Sequence, residues 1–163
     1  MEFAKPILTM AFSNSNNYLA LGGNEGVLYV LSVPSRSMVV NSIIGTPILS
    51  VGFSKLDERL AVGSSDGVLG LLRPESDWEA YGEIEHSEAA ILTQDWSSKA
   101  LAVGRADGTV GVFETENVYS NFFVPQAELS VKRKVRAVCF GGGGKFLGKQ
   151  HRLSWKSPFD LHF

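Results

Sequence analysis

The sequence predicts an all-β fold built from repeated units of four antiparallel strands, and two observations lead to this prediction. First, the segment 6-PILTMAFSNSNNYLALGGNEGVLYVLS-32 aligns with 47-PILSVGFSKLDERLAVGSSDGVLGLLR-73 and with 90-AILTQDWSSKALAVGRADGTVGVFE-114. Second, these segments consist of short apolar and β-branched runs bounded by Ser, Asn, Asp and Gly, and no helical period extends over ten or more residues.

Each unit divides into four elements in the same order. The first strand ends in an aromatic residue, which is Phe12, Phe53 or Trp96, and the second strand is the LALG or LAVG run. The third strand follows NEG, SDG or ADG, whose glycine suits a tight hairpin turn. The segments 38–44 and 78–84 predict a fourth strand. Four strands in a period of about 40 residues are typical of a β-propeller blade.

The repeats also predict how the chain is divided. We expect units at about 6–46, 47–89 and 90–133 and a partial fourth at 134–147, so that residues 1–147 form a propeller with an incomplete ring. Residues 148–163 match no repeat, and we expect a disordered or aberrant tail. Because Gly148-Lys149 can be encoded by an intron donor sequence, we hypothesise that this tail is translated intron and that the chain is a fragment of a longer protein.

With these motifs the chain resembles the WD-repeat β-propeller family over residues 6–147. Leu-Ser, Leu-Arg and Phe-Glu replace the Trp-Asp that closes the third strand in that family, and Glu85-His86 is a remnant of its Gly-His. The resemblance implies a structural hydrogen bond between His86 and Asp107. It also implies a scaffold that binds other proteins, without catalysis.

The composition gives further expectations. The chain is 44% hydrophobic and 20% charged, has one cysteine, and contains no apolar run of the 18 or more residues that a membrane helix needs. These features favour a cytoplasmic or nuclear protein that does not bind a membrane. Residues 1–128 carry 7 Lys/Arg and 16 Asp/Glu, and residues 129–163 carry 8 and 1. We interpret this asymmetry as a change in the kind of sequence and expect no nucleic acid partner.

Two motifs that suggest chemistry have structural explanations. The string 63-GSSDG-67 fits the GxSxG of a nucleophile elbow, but a strand follows it, so we interpret it as a hairpin turn. The run from Gly141 to Lys145 lacks the first glycine and the hydroxyl of a phosphate-binding loop, and aligns with a turn between strands. His151 and His162 lie in the unmatched tail without ligand partners at zinc spacing. We therefore expect no catalytic residue, cofactor or metal.

Three surface features remain. The acids between residues 75 and 88 alternate with apolar residues, which favours an outer strand with a solvated face. An insertion near residues 117–126 carries three aromatic residues that could anchor a partner: Tyr119, Phe122 and Phe123. Cys139 aligns with the small residues Ala11 and Gly52, and we expect it to be packed.

An incomplete ring leaves blade surfaces uncovered, so we also expect self-association through open blade edges. The leading functional hypothesis is a non-catalytic protein–protein interaction scaffold. The alternative is a propeller enzyme, lactonase-like or dehydrogenase-like, whose site lies in blades that this chain lacks.

Overall fold

The computed structural model describes residues 5–74, 78, 80–114, 127–131, 133–141 and 146–149; at 80–86, 127 and 146–149 only the backbone is described. The described residues form strands and no helix of four or more residues, which confirms the predicted all-β fold. The strands are β1 Ile7–Phe12, β2 Tyr18–Gly23, β3 Val27–Ser32, β4 Ser37–Ile43, β5 Ile48–Phe53, β6 Leu60–Ser64, β7 Val68–Leu72, β8 Ala80–His86, β9 Ile91–Trp96, β10 Ala100–Arg105, β11 Thr109–Glu114, β12 Ala127–Ser130, β13 Val138–Gly141 and β14 Phe146–Lys149.

The strands are arranged as antiparallel blades. Three four-stranded sheets have the orders β1-β2-β3-β4, β5-β6-β7-β8 and β9-β10-β11-β12, and a two-stranded sheet pairs β13 with β14. We call these sheets blades 1 to 4. The first strands β1, β5, β9 and β13 each contact the next in line, so they lie along one inner side, and β4, β8 and β12 lie outside. This is the arrangement of propeller blades in a ring that is not closed.

The hairpin turns repeat in detail. Gly26, Gly67 and Gly108 occupy the same place between second and third strands and have φ angles of 74°, 86° and 97°. Glycine adopts this left-handed conformation without the steric cost that a Cβ would bring. The backbone N–H of Ser65 donates to the carbonyl of Pro47 at 2.8 Å, and equivalent bonds occur in blades 1 and 3. The 63-GSSDG-67 string is therefore a hairpin turn, as predicted.

The apolar core lies between blades and not within a single sheet. Three clusters of buried side chains fill the spaces between successive blades. The cluster between blades 1 and 2 contains Ala20, Leu28, Val30, Val40, Ile48, Val51, Phe53, Leu60, Val62, Leu72 and Trp78. The cluster between blades 2 and 3 contains Ala61, Leu69, Leu71, Ile91, Trp96, Leu101, Val103 and Phe113. The cluster behind blade 3 contains Ala102, Val110, Val135 and Val138.

A glycine in each second strand lets the next blade approach closely. A Cβ on Gly63 would lie 2.4 Å from Cγ2 of Ile91, and one on Gly22 would lie 2.4 Å from Cγ2 of Ile48. Real Cβ atoms do not make such contacts, so any larger residue would push the blades apart. The 41-residue glycine period is thus a packing requirement of the interface between blades.

Candidate interaction surface

Each blade has two different faces. We call the face that is turned toward the preceding blade its front face and the opposite one its back face. The front face of blade 2 presents larger side chains, including Val51, Phe53 and Leu60, to the cluster it shares with blade 1. Its back face presents Ala61, Leu69 and other residues to blade 3. Because strand residues alternate in direction, one strand contributes to both faces.

The aromatic residue that ends the first strand is buried in the front faces of blades 2 and 3. Phe53 and Trp96 are 6% and 2% exposed. The indole N–H of Trp96 donates to the carbonyl of Gly52 at 3.0 Å. At the next junction the backbone N–H of Phe140 donates to Oδ2 of Asp95, which takes the place of Gly52 in blade 3. The front aromatic of one blade thus meets the same position on the back of the preceding blade.

Among the described residues, no blade lies against the front face of blade 1. Phe12 is 57% exposed and Met10 is 65% exposed, although they align with the buried Phe53 and Val51. Leu19 lies opposite Phe12 in the sheet and shares this face, and Ile43 on β4 is 75% exposed. Exposed apolar side chains that form one face are a feature of surfaces that bind other proteins. We call the set Met10, Phe12, Leu19 and Ile43 the open front face.

On β13 it is the back face, and not the front face, that has no described blade against it. Val138 is buried against blade 3, and the neighbouring Cys139 points the other way and is exposed. The prediction that Cys139 is packed was therefore wrong. It rested on the alignment with Ala11 and Gly52, which are covered because another blade follows blades 1 and 2. Cys139 occupies the same back position, but no described blade lies behind β13.

Polar links at one end join blades 1 and 2. Both carboxylate oxygens of Asp57 accept backbone bonds from blade 1, from Asn14 N at 2.6 Å and from Ser15 N at 2.7 Å. The side-chain amide of Asn14 also donates to the carbonyl of Ser54 at 2.8 Å. Burial alone raises the pKa of Asp57, but the hydrogen bonds from Ser15 and Asn14 outweigh burial and lower it below the usual range. Asp57 thus holds two blades together as an anion.

At the other end, the acid in the second hairpin turn is held in a different way in each blade. In blade 2, Asp66 accepts from the hydroxyls of Ser64 and Thr46, the latter at 3.1 Å. The Ser64 bond lowers the pKa of Asp66 most, burial opposes it, and Thr46 lowers the pKa further. In blade 1 the aligned pair is Lys5 and Glu25, joined at 2.6 Å, and this pair raises the pKa of Lys5. The matching positions of blades 1 and 2 therefore carry a Lys–Glu pair and a Thr–Asp pair, respectively.

The predicted site residues have different outcomes. Oδ1 of Asp107 accepts from the backbone N–H and the hydroxyl of Thr109, both at 2.8 Å. The side chain of His86 is outside the described residues, so its bond to Asp107 stays a prediction. The same holds for three aromatic residues of the insertion, which the structure does not describe: Tyr119, Phe122 and Phe123. Sequence reasoning expected uncovered blade surfaces in an incomplete ring, and in the structure the strand 7-ILTMAF-12 lies on such a surface.

The described part of the chain has no cluster of metal-binding side chains and no helix that could span a membrane. Among those residues, His, Cys, Asp and Glu side chains form no group of three that could hold a metal ion. Over the same residues, no helix has the length and apolarity to cross a membrane.

Comparisons with known proteins agree with the blade architecture. No protein-family model matches the chain, and no curated protein matches it in sequence. Solved structures do match. The computationally designed Ika4 protein has a TM-score of 0.77 and 17% identity, over 93% of this chain and 88% of that chain. A chain of the Mitotic Checkpoint Complex has a TM-score of 0.79 and 16% identity, over 91% of this chain and 47% of that chain.

The computationally designed Ika8 protein is similar with a TM-score of 0.73 and 18% identity, over 88% of this chain and 42% of that chain. The chain thus spans less than half the length of the Ika8 and checkpoint-complex chains and most of the Ika4 chain. At these identities the likeness concerns the fold, and it supports a propeller-like arrangement of four-stranded blades.

Proposed function

We propose that this chain is a non-catalytic protein–protein interaction scaffold of the WD-repeat type and that it binds a protein through the open front face. The single observation that carries the proposal is the exposure of Phe12, since the equivalent Phe53 and Trp96 are buried by a neighbouring blade. A face with the composition of an inter-blade interface gains free energy when it is covered, at about 25 cal/mol per Å² of apolar surface.

Three further observations support the proposal. One similar solved structure is a chain of a complex, the Mitotic Checkpoint Complex. The repeat motifs resemble a family whose usual role is scaffolding. The Ser65 hydroxyl, the most enzyme-like feature of the sequence, lies in a hairpin turn whose shape repeats in blades 1 and 3. A cytoplasmic or nuclear setting fits a chain with a single cysteine.

Photo-crosslinking in cells that express the chain tests this proposal. A photoreactive phenylalanine analogue would replace Met10 in one variant and Leu56 in a control, because Leu56 is 77% exposed in the turn after β5 of blade 2 and is not part of the open front face. We expect protein adducts from position 10 that position 56 does not give. Absence of adducts at position 10, or the same adducts at both positions, would contradict the proposal.

A further inference from the structure

The connection that leads from blade 3 to blade 4 differs in charge from the equivalent connections of the chain. Residues 131–137 read VKRKVRA and carry four basic residues, and we call them the basic connection. The connection from blade 1 to blade 2, 44-IGTP-47, has no charged residue, and the connection from blade 2 to blade 3, 87-SEAA-90, has one acid. The repeat therefore does not require basic residues at this place, and their presence needs another explanation.

The backbone of the basic connection is fixed against blade 3. The N–H of Val131 donates to the carbonyl of Gly108 at 2.8 Å, and the N–H of Val135 donates to the carbonyl of Arg105 at 3.1 Å. The side chain of Val135 is 2% exposed and belongs to the cluster behind blade 3. Because this backbone is already ordered, a partner that binds the neighbouring side chains does not have to order it.

Three basic side chains extend from this fixed backbone into solvent. Arg133, Lys134 and Arg136 surround the buried Val135 in sequence, and all three are exposed. Their side chains form no hydrogen bond or ion pair with other described residues. The fourth base, Lys132, lies outside the described residues. Three positive charges within four residues attract carboxylates and phosphates.

Two acids that lie beside the basic connection bind other residues. Asp107 adjoins Gly108 in the turn that the connection contacts, and its Oδ1 accepts from the backbone N–H and the hydroxyl of Thr109. Oε1 of Glu128, on β12, lies 3.6 Å from Nη1 of Arg105. The charge of the basic connection is therefore available to a partner.

The chemistry of this surface favours an acidic protein segment. Two of the three exposed bases are arginines, which bind a carboxylate through two parallel hydrogen bonds. The Cα atoms of Arg133 and Arg136 lie within about 11 Å, because a chain extends by at most about 3.6 Å per residue. This span matches acids up to three residues apart in an extended peptide.

Nucleic acid fits this surface less well. Proteins that bind single-stranded nucleic acid add aromatic side chains on which bases stack, and residues 131–137 include no aromatic residue. Residues 1–128 carry 16 Asp/Glu and 7 Lys/Arg, so the rest of the molecule would repel a long polyanion.

We propose that the basic connection is a second docking surface, which binds an acidic segment of a partner protein through Arg133, Lys134 and Arg136. This inference goes beyond the proposed function, because the surface shares no residue with the open front face. The attraction is between exposed charges, so binding weakens as the salt concentration rises.

Fluorescence anisotropy with the full chain tests the proposal, and a fluorescently labelled hexaglutamate peptide is the probe. The test variant replaces the three exposed bases by glutamine: Arg133→Gln, Lys134→Gln and Arg136→Gln. The control removes the same charge from three exposed bases in the turns after β3, β5 and β9: Arg36→Gln, Lys55→Gln and Lys99→Gln. We expect the test variant to bind the peptide about tenfold more weakly than the unaltered chain, and the control to differ from it by less than about threefold.

Three results would overturn the proposal. Equal losses in the test variant and the control would show that the total charge of the chain attracts the peptide. The unaltered chain would otherwise fail to bind the peptide, or would bind a labelled oligothymidine of matching charge more tightly than the peptide. An unchanged urea midpoint in both variants establishes that they are folded. Crosslinking at position 10 reports on the open front face alone, so either proposal can fail without the other.

Discussion

The first strands of blades 1 and 2 have nearly the same sequence and opposite environments. The strand 7-ILTMAF-12 exposes Met10 and Phe12, and the strand 48-ILSVGF-53 buries Val51 and Phe53. Both strands pair with an equivalent second strand in an equivalent register. The difference therefore comes from the neighbouring blade and not from the strand. A blade of this chain encodes two halves of an interface, and burial depends on what meets each half.

The largest expected effect on stability is at the aromatic residue that ends each of these two first strands. We expect Phe53→Ala to lower the free energy of unfolding by about 3–5 kcal/mol, because it leaves a cavity between blades 1 and 2. In dilute, monomeric protein, Phe12→Ala should change the free energy of unfolding by less than about 0.5 kcal/mol, since its ring faces solvent. Urea unfolding followed by circular dichroism measures both. Equal losses for the two variants would show that the open front face is covered within the monomer.

A smaller effect concerns the close approach of blades 2 and 3. We expect Gly63→Ala to cost about 1–3 kcal/mol, because the new methyl group would overlap Ile91 and Ser50 and force the blades apart. Gly70 is the matched control, since a Cβ there meets no atom within 4 Å. Gly70→Ala should be neutral or stabilising by about 0.4–1 kcal/mol, through the unfolded chain. The midpoint of thermal unfolding compares the two. A Gly63→Ala protein as stable as Gly70→Ala would contradict the packing assigned to this glycine.

The smallest effect concerns Asp57, which links blades 1 and 2, and Asp66, which accepts hydrogen bonds from Ser64 of its own blade and from Thr46. The pKa values of Asp57 and Asp66 are lowered in the folded chain, so the unfolded chain binds protons more readily at these carboxylates. Their contribution is present above the unfolded pKa, near 4, and is lost as the pH falls through the folded pKa. The urea midpoint should therefore fall from pH 6 to pH 3, in steps set by these and other acids.

The double variant Asp57→Asn, Asp66→Asn isolates the contribution of these two carboxylates to the pH dependence of stability. Asn keeps an acceptor oxygen but has no charge to lose, so the fall in urea midpoint should be shallower than in the unaltered chain. At pH 7 the double variant should lose about 1 kcal/mol, a modest value because both groups are near the surface. An unchanged pH profile in the double variant would show that these two carboxylates do not stabilise the folded chain.

Local sequence patterns were sufficient to predict the strands, the hairpin turns and the succession of blades. The 41-residue period, the turn glycines and the aromatic at the end of each first strand all correspond to features of the structure. These features depend on residues that are close in sequence, which is why periodicity reveals them. The pairing of Lys5 with Glu25 could also have been found, because the two residues align with Thr46 and Asp66 in the next repeat.

Whether each blade face is buried or exposed could not be predicted from local sequence patterns. Cys139 aligns with Ala11 and Gly52, and the alignment alone indicates a packed residue. Phe12 aligns with Phe53 and Trp96, and again the alignment alone indicates a buried one. Burial of these residues depends on a blade that is far away in sequence or belongs to another molecule. The same strand sequence is therefore compatible with a core position and with a binding surface.

Hydroxyl-radical footprinting of Met10 in the pure chain and in the same chain added to a cell lysate tests the central claim most directly. Methionine is readily oxidised when solvent reaches its sulfur, and Met10 is 65% exposed in the single chain. If the open front face binds a partner protein, the modification of Met10 relative to that of Leu56 falls in the lysate. If Met10 and Leu56 keep the same ratio of modification with and without the lysate, the open front face does not bind a protein.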